Sequence, residues 1–244
     1  MTARAPAAVP VAPAVIELRR YTLRPGRRDE LVDLFDREFV ETQEAAGMSV
    51  LGQFRDLGDP DRFVWLRGFP DMEARRDSLT AFYGGPVWAE HGPRANATML
   101  DSDDVLLLRP VSGGFGVSSA VRPPAGAAPP DGFVAIVVWS FPVQESEGAA
   151  AIRDRLVPLL GETGPAPIAV LVTEHAPNTF PRLPVRSGEN VVAVLASYPG
   201  EAAARAHLAA VRAHPVVKEE ATAGIAGARV EVLRLAPTGR SLVR

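Results

Sequence analysis

Residues 16–24 read Ile-Glu-Leu-Arg-Arg-Tyr-Thr-Leu-Arg and are followed by the turn pair Pro25-Gly26. Successive side chains of a β-strand point to opposite faces of the sheet. Strand periodicity therefore places Ile16 and Leu18 on one face. The other face carries a polar row: Glu17, Arg19 and Tyr21. Such a row indicates either a surface that faces water or the wall of a polar cavity.

The composition sets limits on the class of protein. The 244 residues suffice for one large domain or two of about 110 to 120 residues each. Apolar residues make up 47% and charged residues 23%, as in soluble globular proteins. A net charge of −3 gives no basic field, so nucleic acid and anionic membranes are disfavoured as partners. The absence of cysteine excludes disulfides, thiolate nucleophiles and cysteine-ligated metals.

Both ends of the chain are predicted to be tails. Residues 1–13 are rich in alanine and proline and lack the apolar core of a signal peptide. This favours a disordered tail on a cytoplasmic protein. Residues 237–244 are the predicted C-terminal tail. No window approaches the roughly 18 consecutive apolar residues of a membrane-spanning helix, so none is expected.

The first half alternates between strand and helix patterns. Apolar residues recur at helical spacing after Arg27, Gly47 stands where a left-handed C-cap is expected, and Asp71 can cap a second helix. The segment 87–99 receives no predicted element. The predicted elements are a strand at 16–24, a helix at 27–46, strands at 48–57 and 62–69, a helix at 72–83 and a strand at 104–110.

The order β-α-β-β-α-β is the ferredoxin-like pattern, with both helices on one face of an antiparallel sheet. We expect Ile16 and Leu18 to face the helices. The uncovered face would then carry the polar row of the first strand. It would also carry three residues of the strand at 62–69: Phe63, Trp65 and Arg67.

The second half repeats this order after a linker at 112–131 that is rich in Gly, Pro, Ser and Ala. Phe69-Pro70 aligns with Tyr198-Pro199 at an offset of 129, and the first strands align at an offset of 118. Six elements in a shared order indicate an internal repeat. The predicted elements are a strand at 133–141, a helix at 145–160, strands at 167–175 and 190–198, a helix at 201–213 and a strand at 228–235.

The fold class is therefore α+β, with ferredoxin-like halves at 14–111 and 132–236. The uncovered faces of the two sheets can pack against each other and form an intramolecular dimeric α/β barrel. The interior of such a barrel is the predicted small-molecule pocket.

The repeat alignment predicts that the two halves differ inside. Glu17, Arg19 and Tyr21 align with Ala135, Val137 and Trp139. The remaining aligned pairs are Trp65 with Val194, Arg67 with Ala196 and His91 with Glu220. We expect one polar pocket and one filled core. Because buried charges must be paired, Glu17 is expected to pair with Arg19 or Arg67.

Several stretches resemble the NIPSNAP family. These are residues 16–26, Trp65 to Phe69, the Trp88-Ala-Glu-His segment, and residues 175–186, which are similar to a stretch in the second domain of bacterial members. The resemblance spans residues 14–236 and implies the dimeric α/β-barrel fold. It does not imply one function, because relatives with that fold include cofactor-free oxygenases, haem-degrading enzymes, isomerases and binding proteins.

Three residues are the candidate catalytic set. His91 is the candidate for proton transfer, because imidazole titrates near neutral pH; a surface histidine is the alternative. Arg19 and Tyr21 can donate hydrogen bonds to a carbonyl or enolate oxygen. The alternative for this pair is a structural ion pair with Glu17 and a packed tyrosine.

The candidate ligand-binding residues surround that set or lie on a long loop. Residues 177–189 are longer than the equivalent turn of the first half, which often indicates function. The alternative is a stiff loop that closes the barrel or contacts a second subunit. The candidates are Glu17, Trp65, Arg67, Tyr83, Trp88, Asn178, Arg182 and Arg186.

The leading hypothesis is a small-molecule enzyme that needs neither a metal nor an organic cofactor. It would act on a carbonyl-bearing or aromatic metabolite as a monooxygenase, isomerase or lyase. The alternative is a non-catalytic ligand-binding or protein-interaction module, with homo-oligomerisation left open. Haem binding would require a histidine that faces the cavity.

Overall fold

The computed structural model describes residues 12–113, 115, 121–142, 147–218 and 227–244. The strands are β1 (Val15–Leu23), β2 (Ser49–Asp56), β3 (Arg62–Phe69), β4 (Met99–Gly113), β5 (Phe133–Ser140), β6 (Ala169–Thr173), β7 (Val191–Tyr198) and β8 (Arg229–Pro237). The helices are α1 (Arg28–Leu34), α2 (Val40–Ala45), α3 (Met72–Tyr83), α4 (Pro86–Thr98), α5 (Glu147–Ala151), α6 (Val157–Thr163) and α7 (Glu201–Ala213).

The first long helix is confirmed, with one irregularity. A π-helical turn, Phe35–Phe39, joins α1 to α2 without a break, and a second π turn, Ile152–Leu156, joins α5 to α6 at the corresponding place. Gly47 has a φ of +95° and ends the helix in the left-handed region, where glycine carries no Cβ penalty. The Asp71 side chain accepts a hydrogen bond of 2.7 Å from the Ala74 amide, as expected of an N-cap.

Helix α4 was not predicted. It begins with Pro86, where the missing amide hydrogen has no cost, and it contains Pro93. The Gly92-Pro93 pair interrupts the helical pattern in the sequence, which explains the omission. Strand β4 is also longer than predicted, because it starts at Met99 instead of residue 104.

The eight strands close into a barrel in the order β1-β3-β2-β8-β5-β7-β6-β4. The halves join through two antiparallel pairs, β2 with β8 and β4 with β6. This confirms the α+β fold of two tandem ferredoxin-like halves in one dimeric α/β barrel. Residues 238–244 follow β2 along the barrel, and the Val243 amide donates to the Leu51 carbonyl at 3.1 Å.

The barrel interior is filled with apolar side chains from every strand. Representative members are Leu18, Phe54, Leu66, Leu108, Ile136, Leu171, Leu195 and Leu233. The predicted assignment of the two faces was therefore wrong. Ile16 and Leu18 point into the barrel, whereas the Glu17, Arg19 and Tyr21 row lies beneath the helices. The reason is that the closed interior is filled by apolar side chains, whereas the helix layer supplies polar partners.

Some predictions fall on residues that the structure does not describe. These are most of the N-terminal tail (residues 1–11), residues 114 and 116–120 of the linker region, the predicted helix start at Glu145, and Glu220. Within the described ranges, no helix has the length and apolar character needed to cross a membrane.

Candidate functional site

The Glu17 carboxylate lies at the centre of the layer between the sheet and the helices of the first half. Its Oε2 accepts hydrogen bonds of 2.7 Å from Arg19 Nη1 and 2.7 Å from Arg67 Nε. Its Oε1 accepts one of 2.7 Å from Arg75 Nε. None of the four side chains is more than 1% exposed. One buried carboxylate thus holds three buried guanidinium groups, which we call the arginine cluster.

The cluster fixes the charge states of its members. Burial opposes ionisation of Glu17, but attraction by Arg67, Arg19 and Arg75 outweighs it and holds the pKa of Glu17 far below its usual range. Burial also raises the pKa of the Tyr21 phenol, although Arg19 opposes this rise. Glu17 is therefore an anion and Tyr21 a neutral phenol at physiological pH.

Arg75 and Gln43 belong to the cluster and were missed by the sequence analysis. Gln43 Oε1 accepts a hydrogen bond of 3.2 Å from Arg67 Nη1. The signal was present, since Arg75, Leu79 and Phe82 recur at helical spacing and share the buried face of α3. Gln43 likewise follows Phe39 by one helical turn.

Three donors of this layer have no hydrogen-bond partner among the described residues. They are Arg67 Nη2, Arg75 Nη2 and Trp65 Nε1. The Arg19 guanidinium is better satisfied, because its Nε donates to the Tyr21 hydroxyl at 2.9 Å.

Aromatic rings pack beside the cluster and leave little space. The ring centroids of Phe35 and Trp65 are 4.8 Å apart, and those of Tyr83 and Trp88 are 4.6 Å apart. The cavity that remains has a volume of only about 30 Å³. Its lining comprises Tyr21, Leu31, Phe35, Phe39, Gln43, Trp65, Phe82, Tyr83, Trp88, Ala95 and Met99.

A loop of the second half closes this layer. The segment between β6 and β7, residues 174–190, crosses to the first half, and we call it the crossing loop. Asn178 Oδ1 accepts a hydrogen bond of 2.9 Å from Arg75 Nη1. The ring of Phe180 stacks on that of Tyr83 at 5.9 Å and is 7% exposed. The crossing loop therefore covers part of the first-half layer.

Other predicted site residues lie apart from the cluster. The Arg182 guanidinium lies over the Phe180 ring at 5.9 Å. Arg186 forms ion pairs with Asp104 at 3.3 Å and Glu189 at 2.8 Å.

His91 is not brought together with Arg19 and Tyr21. Its Nε2 lies 3.5 Å from a Glu38 carboxylate oxygen, and its side chain is 26% exposed. Trp88 and Ala95 of the same helix line the 30 Å³ cavity, whereas His91 does not.

The corresponding layer of the second half contains a larger, apolar cavity of about 190 Å³. Among its described residues this layer has no equivalent of the arginine cluster, because Ala135 and Ala196 stand where Glu17 and Arg67 stand in the first half. Small side chains at these two positions leave more space than the large charged ones. Its lining comprises Ala135, Val137, Trp139, Leu156, Leu160, Val194, Ala196, Tyr198, His207, Leu208, Val211, Arg212, Val217, Val230 and Val232.

Two polar side chains in that lining are bonded to each other. The Tyr198 hydroxyl lies 2.9 Å from His207 Nδ1, and His207 Nε2 lies 3.1 Å from the Leu160 carbonyl oxygen. A carbonyl oxygen only accepts, so Nε2 carries a proton; in the neutral imidazole, Nδ1 then accepts the Tyr198 proton. Burial raises the pKa of Tyr198, which keeps this phenol protonated. Neither residue was among the predicted site residues.

The positions of potential ligand side chains are relevant to metal and haem binding. Across the described ranges, no group of three or more His, Asp or Glu side chains is arranged to hold a metal ion. His207 does face a cavity, but both of its ring nitrogens already have partners and neither is open for an axial bond.

The architecture defines the class of protein. Solved structures match nearly the whole chain. One is a protein provisionally named a monooxygenase from Lactobacillus acidophilus, with 13% identity, 95% of this chain and 99% of that chain covered, and a TM-score of 0.56. Another, with the same provisional name, is from Fusobacterium nucleatum, with 10% identity, 93% of each chain covered, and a TM-score of 0.57. An anthrone oxidase-like protein matches similarly (13% identity, 93% of this chain, 94% of that one, TM-score 0.57). At these identities the likeness concerns the fold, that of a dimeric α/β-barrel protein with both halves in one chain.

Within this class, the sequence profile of the NIPSNAP family matches residues 16–113. The chain therefore carries a NIPSNAP family domain in its first half, as the opening strand motif predicted. No curated protein sequence is significantly similar to the chain.

Proposed function

We propose that this protein binds a small hydroxylated aromatic molecule in the second-half cavity. The observation that carries the proposal is the cavity itself, with a volume of about 190 Å³ and almost entirely apolar walls. An apolar cavity of about 150 Å³ is large enough to bind benzene. The space therefore suits one aromatic ring with a short substituent, and Trp139 supplies an aromatic wall.

The hydroxyl requirement comes from the Tyr198–His207 pair. Tyr198 gives its only proton to His207 Nδ1, so its oxygen has lone pairs left to accept a proton from a ligand. A ligand hydroxyl can fill that role. A ketone would instead have to take the Tyr198 proton and leave the buried Nδ1 without a partner, which costs about 1–3 kcal/mol. Among the predicted carbonyl-bearing or aromatic metabolites, phenols therefore suit this site better than ketones do.

A cofactor-independent reaction of monooxygenase, isomerase or lyase type is part of the proposal. The hydrogen-bond chain from a ligand hydroxyl through Tyr198 to His207 can take a proton from the ligand. In the first half, Tyr21 lines the 30 Å³ cavity but Arg19 does not, and His91 lies beside Glu38. The enzyme names of the full-length fold matches belong to those proteins, and at 10–13% identity they concern the fold alone.

The test compares 4-fluorophenol with 4-fluorotoluene, in which a methyl group replaces the hydroxyl. Fluorine NMR of each probe, titrated with the full chain, measures its affinity. We expect both to bind and the phenol to bind about 3- to 10-fold more tightly, the value of one hydrogen bond. Tyr198→Phe should abolish the difference between the probes.

Two further variants locate the binding. Ala135→Leu fills the cavity and should remove binding of both probes. Ala203→Leu adds the same side chain on the exposed face of α7 and should leave both affinities unchanged. Absence of binding to the unmodified chain, or binding that Ala135→Leu does not affect, would refute the proposal.

A second candidate is protein association. Val230 and Val232 of β8 are 50% and 37% exposed and adjoin the cavity mouth. If this face binds a protein instead of a small molecule, neither probe will bind to the chain. Size-exclusion chromatography will then show a complex.

A further inference from the structure

The apolar cavity of the second half borders a charged groove. A space of about 520 Å³ runs along helix α7 beside strands β5 and β8, and we call it the outer groove. The two spaces have four lining residues in common: Ala135, Leu208, Arg212 and Val232. They are therefore contiguous, and a molecule bound in the cavity can extend into the groove.

The outer groove carries positive charge. Its charged lining residues, among those that the structure describes, are Glu201, Arg205, Arg212 and Arg234. Glu201 accepts a hydrogen bond from Arg234, so these two charges offset each other. Arg205 and Arg212 form no ion pair in the described part of the chain. The groove thus holds two unpaired guanidinium groups, although the whole chain has a net charge of −3.

The helical period explains how α7 serves both spaces. Arg205, Leu208 and Arg212 lie three and four residues apart, so they share one stripe of the helix, which lines the groove. His207 and Val211, each one position before a member of that stripe, line the cavity. Arg212 lies at the border, because it lines both spaces, whereas Arg205 lines only the groove.

The position of Arg212 suits the far end of a ring whose hydroxyl reaches Tyr198. Arg212 follows His207, the hydrogen-bond partner of Tyr198, by five residues, which is about 7.5 Å along the axis of α7. A para-substituted phenol with a short acid arm has a comparable length between its hydroxyl and its carboxylate. The guanidinium of arginine presents a planar fork of donors that matches both oxygens of a carboxylate.

We propose that the ligand of the second-half cavity is a phenolic acid. Its ring and hydroxyl occupy the apolar cavity, and its carboxylate binds the Arg212 guanidinium at the border with the outer groove. This inference rests on the proposed binding of phenols and names the class of phenol. A carboxylate is ionised at neutral pH, because its usual pKa is about 4, and it therefore complements the charge of the groove.

The test compares an acid with its neutral amide. The probes are 3-fluoro-4-hydroxyphenylacetate and 3-fluoro-4-hydroxyphenylacetamide, and fluorine NMR measures the affinity of the full chain for each. We expect the acid to bind about 3- to 5-fold more tightly at low ionic strength, the upper part of the range for an exposed ion pair. In about 1 M sodium chloride, where the screening length is about 3 Å, the two affinities should converge.

Matched arginine variants locate the carboxylate. Arg212→Gln removes the charge at the border, so it should abolish the preference for the acid and leave the affinity for the amide unchanged. Arg109→Gln removes the same charge from an exposed position of β4 that lines neither space, and it should retain the preference. The salt dependence of the unmodified chain tests the proposal without either variant.

The outcomes separate this inference from the proposed function. If 4-fluorophenol binds but the acid gains nothing over the amide, the cavity binds phenols and the acid class is wrong. If neither 4-fluorophenol nor the two larger probes bind, the proposed function fails and this inference fails with it. A preference for the acid that Arg212→Gln leaves intact would overturn the assignment of the carboxylate to Arg212.

Discussion

The two halves of the barrel share one order of elements and fill their helix–sheet layers in opposite ways. The first half packs charged and aromatic side chains around a cavity of about 30 Å³. The second places alanine and valine at the equivalent strand positions and keeps about 190 Å³ of apolar space. The fold thus requires neither the arginine cluster nor the cavity. Side chains at a few strand positions contribute to how much space each layer keeps.

The largest expected effect comes from Glu17→Gln. This change leaves three buried guanidinium groups without their carboxylate, so the free energy of unfolding should fall by about 3–5 kcal/mol. Urea titration measures it. Glu73→Gln is the control, because Glu73 pairs with Arg76 at the surface and should change stability by less than about 1 kcal/mol. Equal effects of the two variants would mean that the cluster does not depend on Glu17.

A pH-dependent effect is expected at Asp36, in the π turn of the first half. Burial raises the pKa of Asp36 from 3.8 to about 6, in spite of Arg240 and other nearby arginines. The folded state therefore binds this proton more tightly than the unfolded state, and stability falls as the pH rises from about 4 to about 6. The corresponding position of the second half holds an exposed arginine, Arg153.

Asp36→Asn should remove this loss. Relative to the unmodified chain, its free energy of unfolding should grow by about 2–3 kcal/mol between pH 4 and pH 7, since one pKa unit corresponds to about 1.4 kcal/mol and the shift spans about two units. Thermal scans across that range measure it. Asp33→Asn, on the exposed side of the same helix, should show no such trend. A difference that stays constant with pH would contradict the assignment.

The smallest expected effect comes from filling the second-half cavity. Ala135→Leu adds apolar volume to that cavity and should be neutral or stabilising by up to about 1 kcal/mol. For comparison, Val50→Phe adds volume to the packed first-half layer at a buried residue that does not line the 30 Å³ cavity, where overpacking should cost about 1–3 kcal/mol. Melting temperatures compare the two. If Ala135→Leu were the more destabilising change, the contrast between a hollow and a filled layer would fail.

Sequence periodicity predicts most elements of this fold and the repeat that relates its halves. It does not predict which face of a strand is inside. A period of two shows that Glu17, Arg19 and Tyr21 share a face, but burial depends on partners that come from elsewhere in the chain. Here these partners are Arg75 and Asn178, and no local pattern connects either of them with Glu17.

The second-half cavity shows a similar limit of prediction from sequence. The alignment of Ala135 with Glu17 and of Ala196 with Arg67 indicates that the second half has less side-chain volume. Whether the neighbouring helices collapse onto that space depends on packing at many positions. A filled core was expected where the second half carries apolar residues, and several of these residues instead line a cavity of about 190 Å³ in its helix–sheet layer.

The crossing loop has a consequence for synthesis of the chain. Asn178 caps a guanidinium that lies 103 residues earlier in the sequence, and Phe180 completes the aromatic wall around Tyr83. When the first half leaves the ribosome, neither of these residues has been translated. The nascent NIPSNAP domain must therefore wait, with Arg75 incompletely bonded and an apolar face uncovered, until the second half emerges. We expect this interval to be the stage of biogenesis at which the chain is most exposed to aggregation and proteolysis.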